Sequence, residues 1–521
     1  MRVLLAGFNL DIETIKELKS FVERVAERLD GERFATLGSV EQQQLIQQLQ
    51  KEALLLLNQD NLTPETLSAA YARISRNPKP INELRQIARQ EVERARKSNQ
   101  NIIFGLGHSS VAEHATFNFD ILGVSRYAVE TIEHFRLASY TEKSQRYILF
   151  KNDFVIPQEI KNTKWKKNYI NLIKEQNAVY QKLYDVLNPY FFELYQESAK
   201  EKANHRRIEG LAKEDARYAI SLATQTQLGM TVNARTLENM IAKCNCHRLH
   251  EIREYGNKLY DAIKNLAPSI VKYTSSTEYL EEKSQKICDF ITETFNYDVF
   301  NKSDDKIDVI LADADEDADD RVLAAVLFKY YGGDFKDAIR HIKKMSIAEQ
   351  KQFYQIIYNS MNPWDSILRE FEFVDFTFEL IISASNYGQL KRHRMANISA
   401  QYYDITLGVT IPDSIINIGM KQLFMDIMEK TNSFYLRMRE EHPTIAPYVL
   451  TNAHRRRILF KINLRELYHF SRLREDSHAQ WDIRNTAKQM CDIIKSRFPL
   501  CAALLGGKDQ FIHLYSKFLN N

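Results

Sequence analysis

Cysteine is scarce in this chain. Five residues among 521, Cys244, Cys246, Cys288, Cys491 and Cys501, are too few and too odd in number for a disulfide framework, and they suit a reducing compartment. Charge of one sign is lacking as well. With 71 Lys and Arg against 68 Asp and Glu, the formal net charge is +3, which calls for neither nucleic acid nor a membrane surface as partner. Long hydrophobic runs are absent too: the start MRVLLAGFNLDIETI turns charged after a brief apolar stretch, too short for a signal peptide or a membrane span. A cytoplasmic protein is the expectation.

What is present is the profile of a globular protein, 44% hydrophobic and 27% charged, long enough for two or more substantial cores. An internal repeat makes two the natural count. FNFDILGVSRYAVETIEHFRLAS, from Phe117, is echoed by FTFELIISASNYGQLKRHRMANIS, from Phe376, and VNARTLENM around Asn233 by INLRELYHF around Asn463. Arg394 follows Arg136 by 258 positions and Arg465 follows Arg235 by 230, so order is kept while the interval shrinks.

A strand is expected near Val3 to Leu5, helices between Glu13 and Leu56 with a break near Asp30 to Gly38, a helix starting at Thr63-Pro64-Glu65, and a single helix over Ile81 to Lys97. Further helices are expected over Asn162 to Glu197, Lys213 to Leu222, Lys283 to Asn296 and Asp334 to Met361, and a strand over Phe371 to Phe378. The polar, acidic run from Asp298 to Asp308 marks the boundary between domains 1–297 and 298–521. Asp313, Asp315 and Asp317 resemble the opening of a calcium loop, but Ala318 and Ala324 stand where Gly and Glu are needed, so an acidic helix start is the better reading. Cys244, Cys246 and His247 lack a fourth ligand at motif spacing, and no metal site is expected.

Chemistry concentrates in four stretches. Arg392-His393-Arg394 offers two guanidinium forks and an imidazole, suited to phosphate, carboxylate or a ring heteroatom. Its counterpart reads His134-Phe135-Arg136, then LASYTEK, then Ser144-Gln145-Arg146-Tyr147, and NLRELYHFSRLREDSHAQWDIR follows near the C-terminus. Upstream lies GHSSVAEHATFNF, with Gly105, Gly107 and His108 as a possible phosphate-approaching loop. Plain structural readings compete: Arg217 pairing with Glu214 on its helix, His478 as a core histidine, His454-Arg455-Arg456-Arg457 as a basic turn, Trp481 as helix core.

Taken together, these stretches resemble the flavin-dependent thymidylate synthases, whose signature is RHRxASxNExSxRY. The resemblance implies an α+β fold of two fused family-like domains, each an antiparallel sheet with long helices. The two copies depart from the signature in opposite ways. Domain 1 keeps the Glu142, Ser144 and Arg146 loop and Arg217, but has Thr131, His134 and Cys244 where the family has Gln and two Arg. Domain 2 keeps Gln389, Arg392 and Arg474, but has Ala400, Tyr402, Asp404 and Pro447-Tyr448 in place of the loop and the helix Arg.

Composite sites built from both copies are therefore implied. Glu142, Ser144, Arg146, Arg217, Gln389, Arg392 and Arg474 would hold dUMP; Ser75, His108, Arg392, His393, Arg394, Asn463, Arg465, His469 and His478 would hold FAD; and Ser144, Arg392, His393 and Arg394 would stand nearest the chemistry. By the same resemblance the reaction is conversion of dUMP to dTMP with methylenetetrahydrofolate as carbon donor and NADPH as reductant, in a homodimer imitating the family's tetramer. Open alternatives are a flavoenzyme acting on another pyrimidine nucleotide and a non-catalytic nucleotide-binding or scaffold protein. Whether the half-sites pair within or between chains is left open by the sequence.

Overall fold

In a computed structural model, which describes residues 1–57, 62–150, 152–295 and 307–520, the chain is α+β. Two four-stranded sheets recur with one topology. The first has the order β1-β2-β4-β3, from Arg2–Phe8 (β1), Thr116–Ser125 (β2), Ala138–Glu142 (β3) and Gln225–Asn233 (β4). The second has the order β5-β6-β8-β7, from Val309–Ala314 (β5), Asp375–Ser383 (β6), Asn397–Ala400 (β7) and Arg455–Asn463 (β8).

The repeat extends to register. Leu5 lies opposite Phe119 and Leu311 opposite Phe378, and each pairing then slips, between Leu5 and Gly7 and between Leu311 and Asp313. A bulge kept at equivalent positions re-aims the edge strand in the same way twice. Alternation buries Phe117 and Phe119 in β2, and Phe376 and Phe378 in β6, because successive side chains of a strand point to opposite faces.

Each of the central strands β2, β4, β6 and β8 runs into a helix through a capped junction. Ser125 accepts from the Ala128 amide and Ser383 from that of Asn386; Asn233 accepts from Thr236 and Asn463 from Glu466. Each side chain satisfies an orphan N–H of a helix start. The Asn233/Asn463 echo thus reports, first of all, a helix cap.

Two compact units result. One comprises Met1–Val124, Leu137–Lys143 and Gln225–Phe295; the other comprises Ser125–Arg136, Ser144–Thr224 and Asn296–Asn521. The second unit therefore includes the first copy's helices Arg126–Ile132, Trp165–Leu194 and Lys202–Ala216 along with the second copy's sheet. The expected boundary between residues 297 and 298 lies outside the described residues. The second unit's core gathers Val322, Tyr354, Phe371, Phe378, Phe460, Leu467, Met490 and their neighbours.

Several expected elements shift. The run Ile81 to Lys97 is two helices, Ile81–Gln90 and Val92–Gln100, broken where Glu91 leaves helical geometry at ψ 58°. The expected helix Lys213 to Leu222 is the end of Lys202–Ala216 followed by one 3₁₀ turn, Arg217–Ala219, after which Ile220 is extended. Phe371 is buried in a 3₁₀ turn, Arg369–Phe373, and the strand begins at Asp375. Asp319 and Asp320 lie in the first turn of helix Ala318–Tyr331, where the macrodipole favours them. No helix among the described residues is long and apolar enough to cross a membrane.

Phe378 is fully buried at the middle of β6. Phe378→Ala is expected to destabilise the protein by about 3–5 kcal/mol in a urea titration, whereas Leu459→Ala, at the exposed face of β8, is expected to change it by under about 0.5 kcal/mol.

Candidate active site

Within the second unit, corresponding segments of the two copies pair with each other. Leu222 N–H donates to Leu450 O at 2.7 Å, Ala223 N–H to Tyr448 O at 2.9 Å, and Asn452 N–H to Ile220 O at 3.0 Å. Ser221 and Thr451 form the antiparallel bridge, and these two residues occupy the same place in the repeat. A residue bridged antiparallel to its own equivalent implies a local two-fold between the segments, as at an isologous interface. Two equivalent positions flank it, built with opposite partners.

At the first position, guanidinium groups converge. Arg146 follows a turn in which Ser144 Oγ accepts its amide at 3.1 Å; its side chain pairs with the buried Glu214 and donates to His478 O at 3.4 Å. Arg217, at the end of helix Lys202–Ala216, donates from Nη2 to Ser385 Oγ at 2.8 Å, and its buried Nε–H has no hydrogen-bond partner. Burial pushes the Arg217 guanidinium below its ordinary pKa, with Arg146 and Arg126 adding repulsion against the pull of Glu214. Nearby, Gln145 receives the Asn452 amide at 3.1 Å, and its own buried Nε2 lacks an acceptor.

Arg474, on helix Leu464–Arg474, donates to Gln389 Oε1 and O at 3.4 and 3.3 Å, and from Nε to His393 Nε2 at 2.9 Å. Burial, then Arg392 and Arg146, push it down to about 10. Since a guanidinium only donates, His393 Nε2 must be the acceptor. The ring proton then sits on Nδ1, 3.2 Å from Glu466 Oε1. Burial holds this imidazole below its ordinary pKa despite Glu466.

A second layer fixes the first. Gln480 caps helix Trp481–Arg497, meets the Gln389 amide at 3.3 Å and donates to Tyr218 Oη at 2.9 Å; Tyr218 donates to Asp482, which also receives Ser383 and Asn386. Trp481 stacks on Tyr218 at 5.5 Å and donates its indole N–H to Asp215 at 2.8 Å. None of these links in Gln480, Tyr218 and Asp215 was read from the sequence. The sequence carries no signal for them, since side chains 262 positions apart form no local pattern.

Beside His393 opens a cleft of about 490 Å³, lined by Trp364, Ile367, Asn463, Arg465, Glu466, His469 and Leu473 among others. Glu466 lines it while bonding His393, so cleft and guanidinium cluster share one hydrogen-bonded chain. Ligand atoms of His393, Glu466 and His469 lie within 4.8 Å of one another, a geometry open to a metal. His393, however, is already bonded to Glu466 and to the cation Arg474, so both its ring nitrogens are engaged.

The expected site residues thus sort out. Arg146, Arg217, Gln389, Arg474, His393, Ser144 and the exposed Arg392 belong to one unit of the chain. Arg394 is half-buried beside them. Asn463, Arg465 and His469 line the cleft, though Asn463 spends its carbonyl on a helix cap and Arg465 bonds Ile367 O and Glu372. His478 is exposed, its imidazole on Asp476 at 2.8 Å, so it is no core histidine. Ser75, His108 and Glu142 belong to the other unit; Ser75 and His108 are exposed, and Glu142 accepts from Thr226 at 3.1 Å. The basic run at 454–457 opens β8 rather than a turn: His454 is buried, and Arg455, Arg456 and Arg457 pair with Asp308, Glu130 and Glu379. Arg217 bonds Ser385, while Glu214 takes Arg146.

At the equivalent position the cluster is replaced by rings and internal ion pairs. Tyr127 packs edge-on against Tyr448 at 5.2 Å. Arg456 lies between the rings of Tyr387 and Tyr403, 4.7 and 4.5 Å away, and pairs with Glu130, which also accepts from Tyr403. Lys391 pairs with Glu133 at 3.0 Å. Each cation here already has its carboxylate.

Two expectations follow. Glu130→Gln strands the buried Arg456 and should cost about 3 kcal/mol in denaturant unfolding, while Glu130→Gln with Arg456→Met should recover most of it. Burial raises Asp215 from 3.8 to about 7. Between these values the native carboxyl keeps a proton that the unfolded chain has shed, so stability should fall as pH rises from about 4 to about 7. In Asp215→Asn, thermal unfolding across that range should lose this slope.

The family model described as Thy1, thymidylate synthase complementing protein, matches residues 56–269 and again 310–500. A UPF0159 protein of Thermoplasma acidophilum is 23% identical over 477 residues, covering 84% of this chain and 94% of its own. A flavin-dependent thymidylate synthase of Clostridium tetani is 32% identical over 216 residues, covering 40% of this chain and 82% of its own. A crystal structure of the flavin-dependent thymidylate synthase ThyX from Helicobacter pylori, complexed with FAD and dUMP, is 19% identical with a TM-score of 0.28, covering 40% of this chain and 96% of that one. With two matched segments that retain the motif residues of its composite cluster, the chain belongs to the Thy1 family of thymidylate synthase complementing proteins, in tandem-duplicated form.

Proposed function

We propose that the chain is a flavin-dependent thymidylate synthase with one composite site: dUMP, methylenetetrahydrofolate, NADPH and a proton give dTMP, tetrahydrofolate and NADP⁺. One observation carries the reading. Arg146, paired with Glu214, bears its charge on both Arg217 and Arg474, and the buried Nε–H of Arg217 lacks a partner. Mutually repelling cations with an orphan donor suit a bound dianion, which satisfies both.

Arg146, Arg217 and Arg474 would bind the nucleotide phosphate, with the hydroxyls of Ser144 and Ser385 as further donors. Gln389 would read a pyrimidine edge through its amide. Arg392 would add charge at the exposed mouth, and Arg394 would support the turn. The cleft beside His393 has the size and the mix of flat apolar and cationic groups that a flavin ring needs, and Asn463, Arg465 and His469 would line it. FAD, when bound, supplies the redox step. His393, neutral and fixed with its proton on Nδ1, holds Arg474 toward the nucleotide while keeping Glu466 at the cleft. Two chains would pair to complete the family-like assembly.

Tritium release from C5-labelled dUMP, dependent on methylenetetrahydrofolate and NADPH, tests the activity. Arg146→Ala and Arg474→Ala should each raise the dUMP Kd at least about tenfold, a loss of about 1.4 kcal/mol or more. Because both residues serve one site in one chain, mixing the two variants should restore nothing; recovery on mixing would mean that the half-sites come from different chains.

A further inference from the structure

The cleft has a feature that neither the family signature nor the nucleotide cluster accounts for. Trp364, one of three tryptophans in the chain, is 79% exposed at its rim. An indole left this bare forgoes more burial than any other apolar side chain, and here it sits on backbone that is tied down on both sides. Arg472 donates from Nη1 to Pro363 O at 3.0 Å and to Asp365 O at 2.5 Å, so a single guanidinium grips the carbonyls before and after Trp364. Asn362 N–H donates to Asp365 Oδ2 at 2.8 Å, and Arg465 Nε to Ile367 O at 3.1 Å. The loop is pinned and the ring is not covered.

Other exposed groups complete the pattern. Met395, directly after the Arg392-His393-Arg394 turn, lines the same cleft and is 72% exposed. A thioether and an indole on one cleft are suited to an aromatic guest. Lys508 and Arg465 supply positive charge on the same lining. Flat apolar surface with nearby cations is complementary to a planar heterocycle carrying phosphate.

We infer that Trp364 is a stacking platform for a planar heterocycle of a phosphate-bearing ligand in this cleft, and so a residue that sets cofactor affinity. The inference rests on the flavin reading above and deepens it. Two rings of FAD share the required chemistry, the isoalloxazine and the adenine, and FMN and ADP serve as separate probes for them. Stacking of a flat ring on an aromatic side chain is strong enough that its removal reads as about tenfold or more in affinity. The braces, Arg472 and Arg465, act through the loop and not on the ligand.

The test is binding to the full-length protein. FAD, FMN and ADP are titrated against wild type, Trp364→Ala and Trp364→Phe, following flavin fluorescence, tryptophan quenching and equilibrium dialysis, with sedimentation velocity on each variant. The expected result is FAD affinity at least about tenfold weaker in Trp364→Ala and within about threefold of wild type in Trp364→Phe. Whichever of FMN or ADP shows the same loss identifies the stacked ring. Wild-type binding of FAD that Trp364→Ala leaves within twofold overturns the platform and spares the flavin reading. Failure of wild type to bind FAD, with Trp364-dependent binding of ADP, keeps the platform and overturns the flavin reading. No binding of any probe overturns both, and a change of oligomeric state without a change in affinity assigns the indole to an interface between copies of this chain instead.

Discussion

The antiparallel bridge between Ser221 and Thr451 is the contact on which the site depends. It sets two copies of the same segment face to face, and the hydrogen bonds around it place Asn452 against Arg217 O at 2.9 Å and Gln145 at 3.1 Å. Ser385 is held by the same pairing, its amide donating to Asn452 O at 3.0 Å. Buried backbone groups need partners, and here the pairing supplies most of them while His454 Nδ1 takes the Thr451 amide at 2.9 Å. The positions of Arg217 and Ser385 are therefore fixed by main chain before any side chain is chosen.

A local two-fold offers two equivalent positions, and duplication inside one chain frees them to diverge. At one, Arg146 pairs with Glu214 while repelling Arg217 and Arg474; at the other, Arg456 has Glu130 and Lys391 has Glu133. The difference is electrostatic. A buried cation needs a counter-charge close by, since desolvation otherwise disfavours it. The second position carries that counter-charge covalently, in Glu130 and Glu133, and fills the remaining room with Tyr127, Tyr448 and Tyr403. The first has Glu214 alone, paired with Arg146.

His393 joins the guanidinium cluster to the cleft. Its two ring nitrogens face groups of opposite character, a pure donor in Arg474 and a carboxylate in Glu466, which selects one neutral tautomer. The guanidinium cluster and the cleft are thereby held in one geometry by a buried ring, packed edge-on against Phe470 at 4.8 Å. Arg472 and Arg465, on helix Leu464–Arg474, likewise hold the backbone of the Trp364 loop.

Much of this was legible in sequence. Periodicity and the echoes of Phe117 in Phe376 and of Asn233 in Asn463 show the duplication, because alternation and capping are local requirements that each copy must meet alone. The opposite losses, Arg146 with Asp404 and Gln389 with Thr131, point to shared sites for the same reason: residue identity at motif spacing needs no knowledge of the fold. Tertiary structure decided the rest. That Arg146 and Arg474 lie in one unit, that Arg465 braces a loop, that His478 faces solvent, and that Arg456 is plugged by Glu130 all depend on which segments pack together across hundreds of positions. Long-range packing fixes partners, burial and protonation, and no local pattern encodes them.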